Sequence, residues 1–219
     1  MTSTTTELFD AIRNEDPSRV KSLLDADASL ASARNDAGVS AVLTAIYSGR
    51  PEIRDLLLAR GPQLEIQDAA AAGRLDRVNE LVEANPSLAK TFSPDGFPVV
   101  ALAAVFGHLE IARSLAKNGA DINAVATNGT GYNALTGAVT AGHAEIVKWL
   151  LESGADPNYQ YGPGYTPLLA AAANGRLEIV KLLLAHGAEA AARTNDGKSA
   201  LDLSTERNHK SVVDFLKSQ

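Results

Sequence analysis

Apolar positions alternate between two textures along the chain. Runs of small residues, such as Ala170-Ala171-Ala172-Ala173, alternate with wider stripes such as Ile179, Val180, Leu182, Leu183 and Leu184, and glycines separate the two. The wide stripe has helical spacing and predicts an amphipathic helix from Leu177 to His186. The alanine run predicts a short helix with a thin face between Thr166 and Asn174, against which a neighbour can stack closely. Thr166 suits an N-cap, and Pro167 suits the first helical position, where its missing N–H is no loss. Gly187 suits a helix end that requires a left-handed residue.

The pattern recurs. Gly107-His108-Leu109-Glu110-Ile111-Ala112, Gly142-His143-Ala144-Glu145-Ile146-Val147 and Gly175-Arg176-Leu177-Glu178-Ile179-Val180 stand at steps of 35 and 33 residues. Each is followed by a second glycine motif, namely Gly119-Ala120-Asp121-Ile122-Asn123, Gly154-Ala155-Asp156-Pro157-Asn158 and Gly187-Ala188-Glu189. Gly164-Tyr165-Thr166-Pro167-Leu168-Leu169 precedes the last copy. In these motifs the chain resembles the ankyrin repeat, a β-turn followed by two antiparallel helices in about 33 residues. In length and in its worn motifs (Asn208 for a usual glycine, Val99 for a usual proline) it is similar to the stand-alone, bacterial-type form of that family. The resemblance implies an all-α solenoid of helix-turn-helix units with short hairpin loops.

Seven units including caps are expected, at roughly 6–35, 36–65, 66–93, 94–127, 128–160, 161–193 and 194–219, within one domain. A lone hairpin cannot cover its apolar face, so stability comes from stacking and the end units are polar outside. Asp10, Arg13, Asn14 and Asp202, Ser204, Glu206, Arg207 fit that requirement. A second periodicity pairs residue n with n + 58: Arg19-Val20 with Arg77-Val78, Ser29-Leu30-Ala31 with Ser87-Leu88-Ala89, and Glu52-Ile53 with Glu110-Ile111. Units one and two thus read as an earlier copy of units three and four. From Gly49 to Gly73 the step is only 24, because Pro62-Gln63-Leu64-Glu65 runs almost straight into Ile66. A missing hairpin and a local change of stacking angle are expected there.

Composition narrows the function. The 219 residues are 5% aromatic and contain no cysteine, which excludes disulfides and thiolate metal sites. The net charge of −6 argues against a nucleic-acid partner. Residues 1–110 hold 10 basic against 16 acidic side chains, and residues 111–219 hold 10 of each, so the whole deficit lies in the first half. Met1 to Thr6 lacks a signal-peptide pattern and no apolar run reaches 18 residues, so a cytoplasmic location without membrane contact is the expectation.

Candidate chemistry is sparse. His108 and His143 occupy equivalent positions and read as structural, bonding backbone of the neighbouring turn; His186 and His209 read as residues at unit ends without ligand spacing. The glycine-rich stretches at Asn128 to Tyr132 and Gly162 to Tyr165 lack the phosphate-loop lysine and read as turns. No catalytic, cofactor-binding or metal-binding residue is assigned.

The aromatics give the stronger signal. Mapped onto the ankyrin pattern, Phe97, Tyr132 and Tyr165 follow the turn glycine in their units. Tyr47 lies near the end of a first helix, and Phe106, Asn174 and Arg207 share the next position. Tyr159 and Tyr161 enter the hairpin of unit six. All five tyrosines therefore fall on the side implied to be concave, and tyrosine is enriched at interface hot spots. Trp149 reads instead as core packing on a second helix. The resulting expectation is a non-catalytic protein-interaction module using Tyr47, Phe97, Phe106, Tyr132, Tyr159, Tyr161, Tyr165, Asn174 and Arg207. It requires no cofactor and is monomeric, with self-association through the same tyrosines as an alternative state. The runner-up is a small-ligand binder using the tyrosines of units five and six, and an enzyme ranks third.

Overall fold

The structure is a computed structural model that describes residues 3–218. Among them fourteen α-helices form seven antiparallel pairs. They are α1 (Ser3–Arg13) with α2 (Pro17–Ala26), α3 (Ala41–Tyr47) with α4 (Pro51–Leu58), α5 (Ile66–Ala71) with α6 (Leu75–Ala84), and α7 (Val99–Val105) with α8 (Leu109–Lys117). The series continues with α9 (Ala134–Ala141) and α10 (Ala144–Glu152), α11 (Pro167–Ala173) and α12 (Leu177–Ala185), and α13 (Ala200–Glu206) and α14 (Lys210–Leu216). The odd-numbered helices stack each on the next as one unbroken row, and in the second row α2 lies on α4, α6 on α8, α10 on α12 and α12 on α14. This is an all-α solenoid without a β-sheet among the described residues.

Local sequence explains most helix starts. Ser40, Asn133, Thr166 and Ser199 cap α3, α9, α11 and α13 by accepting from the backbone N–H three residues on. Pro98 stands in the same place before α7 and offers no side-chain cap. Small residues then let the first row pack tightly: Ala170, Ala171, Ala172 and Ala173 are all buried, as are Ile179, Val180 and Leu183 of the next helix. Trp149 is half-buried against the same core. The polar ends hold with one exception. Ser204 is fully buried, and its hydroxyl donates to the Leu201 carbonyl at 3.1 Å instead of meeting solvent.

Tight turns close several units through isolated antiparallel bridges, Arg34 with Ser40, Phe92 with Pro98, Tyr161 with Tyr165 and Arg193 with Ser199. The first two stand 58 residues apart, as do the 3-10 turns Ala28–Ser32 and Pro86–Lys90 that lead into them. No such bridge lies between α4 and α5. There Pro62 to Glu65 leads directly into the six-residue α5. Asp68, in the first turn of α5, replaces the missing contacts. Its side chain is fully buried and accepts from the Ser40 hydroxyl (2.7 Å), the Arg34 guanidinium (2.9 Å) and the Glu65 backbone N–H (3.1 Å). The apolar core divides at the same place. One cluster joins α1 to α4 with Ala71 and Leu102, and the other runs from Ile66 to Val212.

Three histidines link successive pairs. The Nε2 atoms of His108, His143 and His209 lie 3.1, 3.0 and 3.0 Å from the carbonyls of Ala71, Val105 and Ala173 in the preceding pair. Each imidazole covers a left-handed glycine: a Cβ on Gly107 would sit 2.8 Å from His143 Cε1. His209 therefore belongs to this row and is not an isolated end residue; Asn208 before it takes the left-handed conformation (φ 59°) that glycine holds elsewhere. Only His186 stands apart, with Nδ1 2.8 Å from the Leu182 carbonyl of its own helix. Burial holds the His108 imidazole below its ordinary 6.5, against the opposing pull of its bond to Ala71.

Candidate functional site

The short α5 shapes the surface beside it. With no hairpin above α5, Tyr47 at the end of α3 reaches past it to the fourth pair. Its ring stacks on Phe106 (centroids 6.1 Å apart, planes 26° apart) and meets Phe97 edge-on at 6.4 Å. Its hydroxyl donates to Asp95 Oδ1 at 3.2 Å. Desolvation, reinforced by the Asp95 charge, raises the phenol far above its ordinary 10.0, so the hydroxyl remains a neutral donor. These four residues form one wall of a cavity of about 380 Å³ whose floor is Ala101, Leu102, Val105 and Gly137 and whose far wall is Tyr132 and Thr140.

A second aromatic group continues from there. Tyr161 and Tyr165 face each other across a tight turn and exchange both backbone hydrogen bonds, at 2.9 and 3.0 Å. The Tyr161 ring packs on Tyr132 of the preceding hairpin at 5.4 Å and on Tyr165 at 6.4 Å. Burial, then the neighbouring Tyr132, pushes the Tyr161 phenol up to about 12. Tyr132, Thr140, Tyr161, Tyr165, Asn174 and Arg207 surround a cavity of about 500 Å³. Asn174 caps the end of α11, with Nδ2 donating to the Ala170 carbonyl at 2.9 Å, and Arg207 donates to the Ala173 carbonyl at 3.2 Å.

Tyr132 and Thr140 line both cavities, so the two adjoin. Eight of the nine residues singled out in the sequence therefore lie along one strip, from Tyr47 to Arg207. Tyr159 lines an adjoining recess of about 370 Å³ at the hairpin tips, which shares Gly129, Thr130, Tyr161 and Gly162 with the second cavity. Asp95 was missed, because an acidic residue in Pro94-Asp95-Gly96 reads as turn chemistry. Only the fold places its carboxylate beside Tyr47.

Little else offers chemistry. Among the described residues no three His, Cys, Asp or Glu side chains gather into a metal-binding group. No helix among the described residues is long and apolar enough to cross a membrane.

A stack of helix pairs joined by tight turns, linked by histidines and carrying an aromatic strip along one row, defines a helical-repeat solenoid. A family profile described as ankyrin repeats in three copies matches residues 66–161, and one for ankyrin repeats in many copies matches residues 150–204. The chain belongs to the ankyrin repeat family. Ankyrin repeats generally mediate protein–protein interaction and are typically not catalytic. No curated protein matches the chain.

Proposed function

We propose that this protein is a non-catalytic interaction module that binds a protein partner along the strip from Tyr47 to Arg207, the concave side of such a solenoid. The observation that carries the reading is that the two cavities lie side by side and share Tyr132 and Thr140. A single small molecule would fill one of them. A strip lined by five of the helix pairs instead offers an elongated surface to a segment or face of another protein, with aromatic anchors at its centre and polar groups at its rim, the usual anatomy of an interface. Stacking does not require these rings, since alanines serve the same purpose on α5 and α11.

The test is quantitative capture by immobilised wild type, Tyr132→Ala, Phe106→Ala and, as a control on the second helix row, Trp149→Leu, after circular dichroism has established that all are folded. A partner held by wild type and the control but lost by both strip variants supports the reading. Equal retention by all four would place the interface elsewhere. A captured small molecule in place of a protein would favour the ligand-binding alternative.

A further inference from the structure

We propose that the cleft bounded by Tyr47, Phe97, Phe106 and Asp95 receives a cationic side chain, lysine or arginine, from the partner. The inference rests on the binding reading above and adds the chemistry of its central contact.

Four aromatic rings, Tyr47, Phe97, Phe106 and Tyr132, border this cavity, and the negative face of an aromatic ring attracts a cation. Asp95 is the only charged side chain lining it. Its Oδ1 accepts a neutral hydroxyl from Tyr47, and none of the ion pairs found among the described residues uses it. Of the first-row helices, α3, α7, α9 and α11 contain no Lys, Arg, Asp or Glu, and the one charge of α5, Asp68, is already paired with Arg34. The whole negative excess of the chain also lies in residues 1–110, which include Asp95.

These facts select the occupant. An apolar side chain would suit the Ala101, Leu102 and Val105 floor but would leave the Asp95 carboxylate without a counter-charge. An acidic side chain would meet a like charge. A lysine or arginine instead places its methylene stem on Ala101, Leu102 and Val105 and its charged head between the rings and the carboxylate. The same field speeds encounter with a basic partner.

The experiment is an NMR titration of the full chain with Nα-acetyl-lysine methylamide and with its neutral counterpart Nα-acetyl-norleucine methylamide, repeated on Asp95→Asn. The lysine compound is expected to shift the ring signals of Phe97 and Phe106 and to bind about tenfold more tightly than the norleucine compound, with most of that preference lost in Asp95→Asn. Equal binding of the two compounds, no response of the two phenylalanines, or an unchanged preference in Asp95→Asn would each overturn the assignment. A captured partner lost by Tyr132→Ala but indifferent to Asp95→Asn would remove the cation from the account and leave the binding face intact. Loss by neither variant would remove both.

Discussion

Replacing Asp68 by alanine is expected to separate the first two helix pairs from the remaining five. The buried carboxylate holds three donors, two of them, Arg34 and Ser40, from the tight turn that precedes α3. Hydrogen bonds to a charged group contribute about 1.5–3 kcal/mol each. Arg34 keeps 27% of its side-chain surface, which weakens its share, so roughly 3 kcal/mol is expected for the whole set. At about 1.4 kcal/mol per factor of ten, the junction loses about a hundredfold in coupling. In a solenoid stability is a sum of unit and neighbour terms, so the loss falls on one interface and not on the stack as a whole. The apolar cores already divide there, with Ala71 and Leu102 the members of the first cluster that lie beyond α4. Trp149, the sole tryptophan, sits on α10 in the C-terminal run and reports that part alone. Helices α1 to α4 supply about a third of the helical residues, so circular dichroism reports both parts. In urea, the two signals should coincide for wild type. In Asp68→Ala, dichroism should lose its first third before Trp149 responds. Coincident curves in the variant, shifted or not, would refute the idea that Asp68 couples the two runs.

Three other outcomes are expected. The His108 imidazole is held below its ordinary 6.5, so the unfolded chain takes up a proton first as pH falls; the stability its neutrality contributes is present above 6.5 and lost on acidification through its folded value. The thermal midpoint should therefore fall below pH 6.5, and His108→Asn should flatten that slope. The Tyr161 phenol is raised from 10.0 to about 12, so its contribution is whole below pH 10.0 and lost as pH rises toward 12; ultraviolet titration should contain a phenolate step at about 12 that Tyr161→Phe deletes. Glu15 holds a left-handed backbone (φ 58°) where units two to six have glycine, and Glu15→Gly should stabilise the protein by roughly 0.5–1 kcal/mol in urea unfolding, the relief of the left-handed strain less a surface ion pair with Arg50.

The repeat was legible because its determinants are local. Thr166 and Pro167 mark the start of α11 by capping and fixed φ, and the stripe around Ile179 and Val180 marks the buried face of α12. His108 and His143 were legible by register, whereas His209 was hidden by Asn208, which reads as a broken motif although its backbone adopts the same left-handed turn. Most of the strip followed from the tyrosine positions. The contacts of Tyr47 did not, because they depend on how far a side chain travels when the neighbouring unit lacks a hairpin, and the 24-residue step records the omission without its consequence. Asp68 and Asp95 were the least legible. Each is an acid at a helix start or a turn, where such residues are common, and only tertiary packing makes one a buried anchor and the other the lone charge of an aromatic cleft.

The binding claim is tested most directly by hydrogen exchange of the protein with and without its captured partner. The account predicts slowed exchange at residues 94–107, 129–142 and 161–175, the hairpin tips and first helices that carry Phe97, Phe106, Tyr132, Tyr161 and Tyr165. Slowing confined to the second-row helices α8, α10 and α12 would contradict it.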